Sequence, residues 1–230
     1  MAVIRAHWQM LVLAGAVFAL WSTPVVLPLK LLVVLFHELA HGLAALATGG
    51  SIDSLTVTPD QGGLAYTRGG NRFAILSAGY LGSLIMGLVV FAVALRSKAD
   101  RALLAFLGVV ILLVAVLYIR ETFALAFSLA AGAAMLAGAR WLPTLGADLI
   151  LRVIGLASMV YVPYDILSDT ILRSHLQSDA RLLAEEIGGA TLLWGGLWLI
   201  ASLAAILFSL RVLAGRSTNL TWHARAKAPH

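Results

Sequence analysis

The chain has 230 residues, of which 61% are hydrophobic and 12% are charged, with a formal net charge of +5. Soluble domains are about half apolar and about a quarter charged, so this composition excludes a soluble globular fold. Lys and Arg lie mainly between apolar runs, where membrane proteins keep interfacial charges, and this pattern indicates no nucleic-acid binding. Because the chain has no cysteine, any metal ion must be held by His and carboxylate side chains.

Successive apolar runs predict a single all-α polytopic membrane domain, residues 1–230, with about seven (six to seven) transmembrane helices in the lipid bilayer. The expected spans are residues 8–21, 28–48, 72–95, 102–119, 122–138, 147–172 and 190–213. The first run resembles a secretory signal but lacks small residues at a cleavage point, so we expect a retained span. Residues 214–230 form a basic tail suited to anionic lipid headgroups. The positive-inside bias is weak and leaves the orientation open.

A short polar stretch from Ser51 to Asn71 interrupts the apolar pattern. Two β-favouring runs, Leu55–Thr58 and Leu64–Thr67, flank a turn-forming segment with proline and two glycines, which predicts a short β-hairpin. Such a hairpin, directly after the second span, could border a site and offer a strand edge to an extended peptide. A plain interfacial loop is the alternative interpretation.

The second span carries the sequence Phe36-His37-Glu38-Leu39-Ala40-His41-Gly42. Residues four apart lie on one helix face, so both imidazoles can bind the same ion, and zinc is the metal this pattern favours. Glu38 beside them can act as general base toward a metal-activated water. Titratable residues within an apolar span are costly, which favours a functional role over helix packing.

A third ligand is expected from the sixth span, where Asp165 and Asp169 are four residues apart and share a helix face. The second and sixth spans are expected to cross in the same direction, and counting from their ends places Asp165 at the depth of His41. Asp165 is therefore the expected ligand, with Asp169 as alternative third ligand or as a partner that orients an imidazole. Either aspartate could instead pair with Arg152 or Arg173.

Two further segments allow a structural and a functional interpretation. Ser178-Asp179-Ala180 reads most simply as a helix N-cap, and the alternative is a ligand from a loop that folds back. The small-residue run Ser77–Ser83 favours close helix packing against the motif helix, and the alternative is that its backbone or Tyr80 lines a substrate cleft.

The membrane-embedded HELAHG, the β-prone glycine-rich segment, the SAGYLGS span and the late aspartate resemble the site-2 protease family of intramembrane zinc metalloproteases, over about Leu31 to Trp198. The closer similarity is to its compact branch of small bacterial and fungal peptidase-like proteins. The resemblance implies that His37, His41 and Asp165 bind zinc and that Glu38 activates water to cut membrane-embedded or juxtamembrane substrates. The chain departs from the family's Leu-Asp-Gly sequence at Asp165-Ile166 and has no PDZ-like insertion.

The resemblance implies an intramembrane zinc metalloendopeptidase in a bacterial cell membrane, with a membrane protein or peptide as partner and no nucleic acid. A catalytically silent scaffold or chaperone-like binder of the same fold is the alternative, although a binder has no need of Glu38. A transporter, with His and Asp relaying ions, is the third hypothesis, and it would require repeated halves that the sequence lacks.

Overall fold

The computed structural model describes residues 2–173, 176–214 and 217–219. Helices dominate this part of the chain, and two strands form one hairpin. The elements in chain order are α1 (Ala2–Ala19), α2 (Leu27–Ala47), β1 (Ser51–Val57), β2 (Gly63–Arg68), α3 (Arg72–Arg96), α4 (Asp100–Tyr118), α5 (Thr122–Trp141), α6 (Thr144–Leu167), α7 (Asp179–Ile187) and α8 (Thr191–Ala214). A 3₁₀ turn, Pro24–Val26, precedes α2, and a π-helical turn, Ser168–Leu172, continues α6.

Six helical segments in the described residues are long and apolar enough to cross a membrane. They are Pro24–Ala47, Arg72–Arg96, Asp100–Tyr118, Thr122–Trp141, Thr144–Leu172 and Thr191–Val212. The apolar part of α1, Ile4–Ala19, is shorter. The predicted class, an all-α multi-pass membrane protein, is confirmed, and the separate helix α7 lies outside these segments.

Helix α3 packs on both α2 and α6, and small residues allow the close approach. A Cβ atom built on Gly82 would lie 2.7 Å from the Cβ atom of Ala40 on α2. Further along α3, a Cβ atom on Gly87 would collide with Ser158 of α6. In the reverse direction, a Cβ atom on Gly155 of α6 would lie 2.5 Å from the Cβ atom of Phe91 on α3. The small-residue run therefore packs against the motif helix, as predicted, and α3 packs on α6 further along its length.

The predicted β-hairpin is also confirmed. Strands β1 and β2 are antiparallel, from the pair Ser51 and Arg68 to the pair Val57 and Gly63 at the turn. The outer side of β1 reaches the end of α4 through a bridge between Leu55 and Ile119. The hairpin packs on α2 because Gly42 leaves room for the Ile52 side chain, which a Cβ atom on Gly42 would meet at 2.6 Å.

Candidate metal centre

Helix α2 places the three motif residues where they can act together. Pro28 lies in its first turn, where the missing N–H costs nothing, and mostly apolar residues continue the helix to Ala47. The imidazole rings of His37 and His41, one turn apart, have centroids separated by 4.7 Å. Glu38 and His41 are buried, with 5% and 6% of their surface exposed. Three polar residues are therefore held within the apolar part of the helix that follows Lys30.

Asp179 supplies the carboxylate that lies beside both imidazoles. Its Oδ2 atom is 2.9 Å from His37 Nε2 and 3.2 Å from His41 Nε2. Zinc ligands at about 2.0–2.1 Å in a tetrahedral arrangement are about 3.3 Å apart, so this donor set fits zinc. Among the described residues, His37, His41 and Asp179 form the one group of potential metal ligands whose donor atoms lie within 4.8 Å of one another.

The start of α7 fixes the position of this carboxylate. Ser178 is the N-cap, and its hydroxyl oxygen accepts a hydrogen bond from the backbone N–H of Arg181 at 3.3 Å. This confirms the N-cap interpretation of the sequence. Because Ser178 satisfies the helix end, Asp179 at the next position is available to the imidazoles.

The electrostatic surroundings of Asp179 favour its ionised form. Burial alone would raise the pKa of this carboxyl, but the adjacent imidazoles of His41 and His37 hold its pKa well below the usual range. A metal ligand must be deprotonated, and a carboxylate beside two imidazoles meets that condition.

The orientation of His41 is set by α3. His41 Nδ1 is 2.7 Å from the carbonyl oxygen of Ile75, which can only accept, so Nδ1 carries the proton and Nε2 keeps its lone pair for a metal. A Cβ atom built on Gly79 would lie 2.6 Å from His41 Nε2 and closer still to His37 Nε2. Glycine at this position therefore leaves the space in which the two nitrogens converge.

The expected ligand Asp165 does not belong to this group. Its Oδ1 atom is 3.7 Å from Arg173, which also donates to Asp169 at 2.7 Å. Asp169 in turn accepts a hydrogen bond from the Tyr80 hydroxyl at 2.5 Å, and the Tyr80 ring packs edge-on against His37 at 4.7 Å. The sequence argument from depth in the membrane favoured Asp165, but depth does not fix the lateral position of a side chain, and the donor atoms that converge are those of His37, His41 and Asp179.

A cavity of about 270 Å³ contains the candidate centre. The residues that line it come from α2, the hairpin, α3, the end of α6 and the start of α7, and they include His37, Glu38, His41, Gln61, Gly62, Gly63, Leu64, Ala65, Arg72, Tyr80, Asp165, Asp169, Arg173, Gln177, Ser178 and Asp179. Glu38 lies against the hairpin, because a Cβ atom on Gly63 would be 2.8 Å from the Glu38 carboxyl carbon. The hairpin thus borders the candidate centre, as does Tyr80.

Sequence reasoning identified His37, Glu38 and His41 but ranked Asp179 below Asp165. Asp179 lies 142 residues from His37, so no local spacing connects them. The sequence feature that could have pointed to Asp179 as a ligand is the acidic residue in the helix cap Ser178-Asp179-Ala180, shortly after the sixth span.

The fold and the centre together define a multi-pass membrane protein with a partly buried His–His–Asp cluster next to a buried glutamate. The sequence profile of the family described as Peptidase M50B-like matches residues 10–209, and the chain belongs to that family. This is the site-2 protease-related group that the motifs resemble, and M50 proteins typically bind zinc. No curated protein and no solved structure matches the chain.

Proposed function

We propose that the protein is an intramembrane zinc metalloprotease that hydrolyses peptide bonds of membrane-embedded or juxtamembrane substrates. The observation that carries the proposal is the convergence of His37, His41 and Asp179 donor atoms in a cavity that also contains Glu38. Asp179 replaces Asp165 as the proposed third ligand. Zinc, when bound there, supplies Lewis acidity toward a water molecule and the substrate carbonyl.

Glu38 is the proposed general base. Its carboxyl group lies between the ligands on its own helix and Gly63 of β2, which places it beside any peptide bond held along the hairpin. It takes a proton from the attacking water and passes it to the leaving amine nitrogen. This role explains why a carboxyl group is kept in a buried position without an ion-pair partner among the described cations.

The hairpin is the proposed binding edge for the substrate. Strand β2 pairs with β1 on one side, and its residues Gly63, Leu64 and Ala65 line the cavity. An extended peptide can add to such an edge through backbone hydrogen bonds. A substrate helix must unwind first, because helical carbonyl groups are already hydrogen-bonded.

The test compares zinc content and cleavage of a model transmembrane peptide for the purified wild type, Glu38→Gln and Glu121→Gln. We expect Glu38→Gln to retain stoichiometric zinc and to lose cleavage by at least about 100-fold, the range of general acid–base catalysis. Glu121 is exposed at the start of α5, away from the cavity, and its variant should behave as the wild type. Full activity of Glu38→Gln would refute the mechanism, and a wild type that binds zinc without cleaving any peptide would favour the scaffold.

A further inference from the structure

The two proposed histidine ligands are held in different ways. His41 Nδ1 is bonded to the carbonyl oxygen of Ile75, which fixes the plane of its ring. Among the residues that the structure describes, none forms a hydrogen bond with Nδ1 of His37. Histidine ligands of metal ions almost always donate their second ring N–H to an acceptor, which sets the orientation of the ring. The orientation of the His37 ring therefore depends on the groups that pack against it.

Tyr80 of α3 is the side chain from another helix whose ring packs on His37. The two ring centroids are 4.7 Å apart and the ring planes meet at 84°, an edge-to-face arrangement that aromatic pairs prefer. Only 1% of Tyr80 is exposed, and its ring also lies against Trp198 of α8 at 5.4 Å. Because Tyr80 is enclosed in this way, its ring offers His37 a fixed surface.

The hydroxyl group of Tyr80 is anchored by a chain of hydrogen bonds. It donates to Asp169 Oδ2 at 2.5 Å, while Arg173 donates to Asp169 Oδ1 at 2.7 Å. Each carboxylate oxygen thus has a donor of its own, and hydrogen bonds to ionised groups are the strong ones. Arg173 is held in turn by Ser168, whose hydroxyl oxygen accepts from Nε at 3.0 Å. The chain begins at the end of α6 and ends on the ring that packs against His37.

An irregular turn of backbone carries the charged part of this chain. In the π-helical turn after α6, the N–H of Arg173 donates to the carbonyl oxygen of Ser168 at 2.7 Å, five residues back. Single π-helical turns are rare and are frequently found at functional sites. Thr170 in this turn is buried and occupies the space that a Cβ atom on Gly195 of α8 would fill. This close contact with α8 fixes the turn that carries Asp169.

We propose that Tyr80 is a positioning residue for the metal ligand His37, and that Asp169 and Arg173 act through Tyr80 and not on the metal. The inference rests on the proposed metal site, in which His37 Nε2 binds the ion beside Asp179. The anchored hydroxyl keeps the Tyr80 ring against His37, so the imidazole keeps Nε2 directed at the ion. Without the anchor, the Tyr80 ring can shift and the His37 ring can rotate about its side-chain bonds.

The test is a double-mutant cycle on the purified protein, with Tyr80→Phe, Asp169→Ala and the double variant. Zinc affinity is measured by competition with a chromogenic chelator. The visible absorption bands of the Co²⁺-loaded protein report the geometry of the ligands. Tyr161→Phe is the control for loss of a buried tyrosine hydroxyl, and Tyr161 does not line the cavity. Asp53→Ala is the control for loss of a carboxylate paired with arginine, here Arg68 at 2.9 Å.

We expect Tyr80→Phe and Asp169→Ala each to weaken zinc affinity by about 10-fold, the lower end of the range for groups that orient a metal ligand. The double variant should lose no more than either single variant, because both changes remove the same interaction. All three should shift the cobalt bands, whereas the two controls should match the wild type.

Wild-type affinity and cobalt bands in Tyr80→Phe would overturn the inference. Losses that multiply in the double variant would also overturn it, because Asp169 would then act on the metal by itself. Equal losses in the controls would indicate a general effect on stability and would have the same consequence.

The readouts do not require cleavage, so the inference and the proposed function can fail separately. A wild type that binds zinc and cleaves no peptide contradicts the proposed function alone, if the cycle behaves as expected. A wild type that cleaves peptide, with zinc affinity and cobalt bands unchanged in the variants, contradicts the inference alone. A wild type that binds neither metal would overturn both.

Discussion

Replacement of Gly79 by alanine tests whether the two imidazole nitrogens share a metal position beside α3. The new Cβ atom would lie 2.6 Å from His41 Nε2, about 0.8 Å short of the 3.4 Å at which ordinary contacts begin, and closer still to His37 Nε2. Both imidazoles must swing away by several times the tolerance of a metal–ligand bond, which is about 0.2 Å. Because these atoms end flexible side chains, the fold can persist while the site is lost.

We expect Gly79→Ala to weaken zinc affinity by at least about 100-fold, the upper range for loss of a group that merely orients a ligand. Zinc affinity is measured by competition with a chromogenic chelator, and circular dichroism checks the helices. Gly82→Ala is the matched control, since its Cβ atom meets Ala40 on the same helix pair at 2.7 Å and no imidazole within 4 Å. Wild-type zinc affinity in Gly79→Ala, or equal loss in Gly82→Ala, would refute the reasoning.

Three other substitutions separate metal binding from catalysis. Asp179→Ala should lose at least about 100-fold in zinc affinity, whereas Asp165→Ala should retain most of it; the reverse order in metal analysis of the purified variants would restore Asp165 as ligand. Gly63→Ala brings a Cβ atom within 2.8 Å of the Glu38 carboxyl carbon and so displaces the base. This variant should keep zinc and lose about 100-fold in cleavage of the model peptide, and unchanged cleavage would contradict the position assigned to Glu38.

The spans and the hairpin were accessible from sequence because each rests on local pattern. Long apolar runs need the bilayer, and β-favouring runs around Pro59 and two glycines form a turn wherever they lie. The relative direction of α1 and α2 was not accessible, because a short apolar run with a break after it can reverse or continue. The direction of α1 is shown by contacts between residues distant in sequence, in which Trp21, just after α1, packs against Tyr161 and Tyr164 of α6.

The candidate centre likewise contains residues that the sequence predicts and one that it does not. His37, Glu38 and His41 follow from helical spacing in one span, which sequence displays directly. The identity of the carboxylate ligand depends on which element packs beside α2. The depth of a residue along its helix does not determine which elements are neighbours. Asp165 lies 3.7 Å from Arg173 at the end of α6, and Asp179 reaches the imidazoles from α7 instead.

The proposed carboxylate ligand belongs to a nine-residue helix that is separate from the membrane-crossing segments. Glu186 near the end of that helix binds Arg72 at the start of α3 through both carboxylate oxygens, at 2.9 Å each. This ion pair and the packing of α7 on α3 and α8 hold Asp179 beside the imidazoles. On the proposed assignment, movement of α7 alone withdraws the carboxylate ligand, while the six membrane-crossing segments keep their packing on one another.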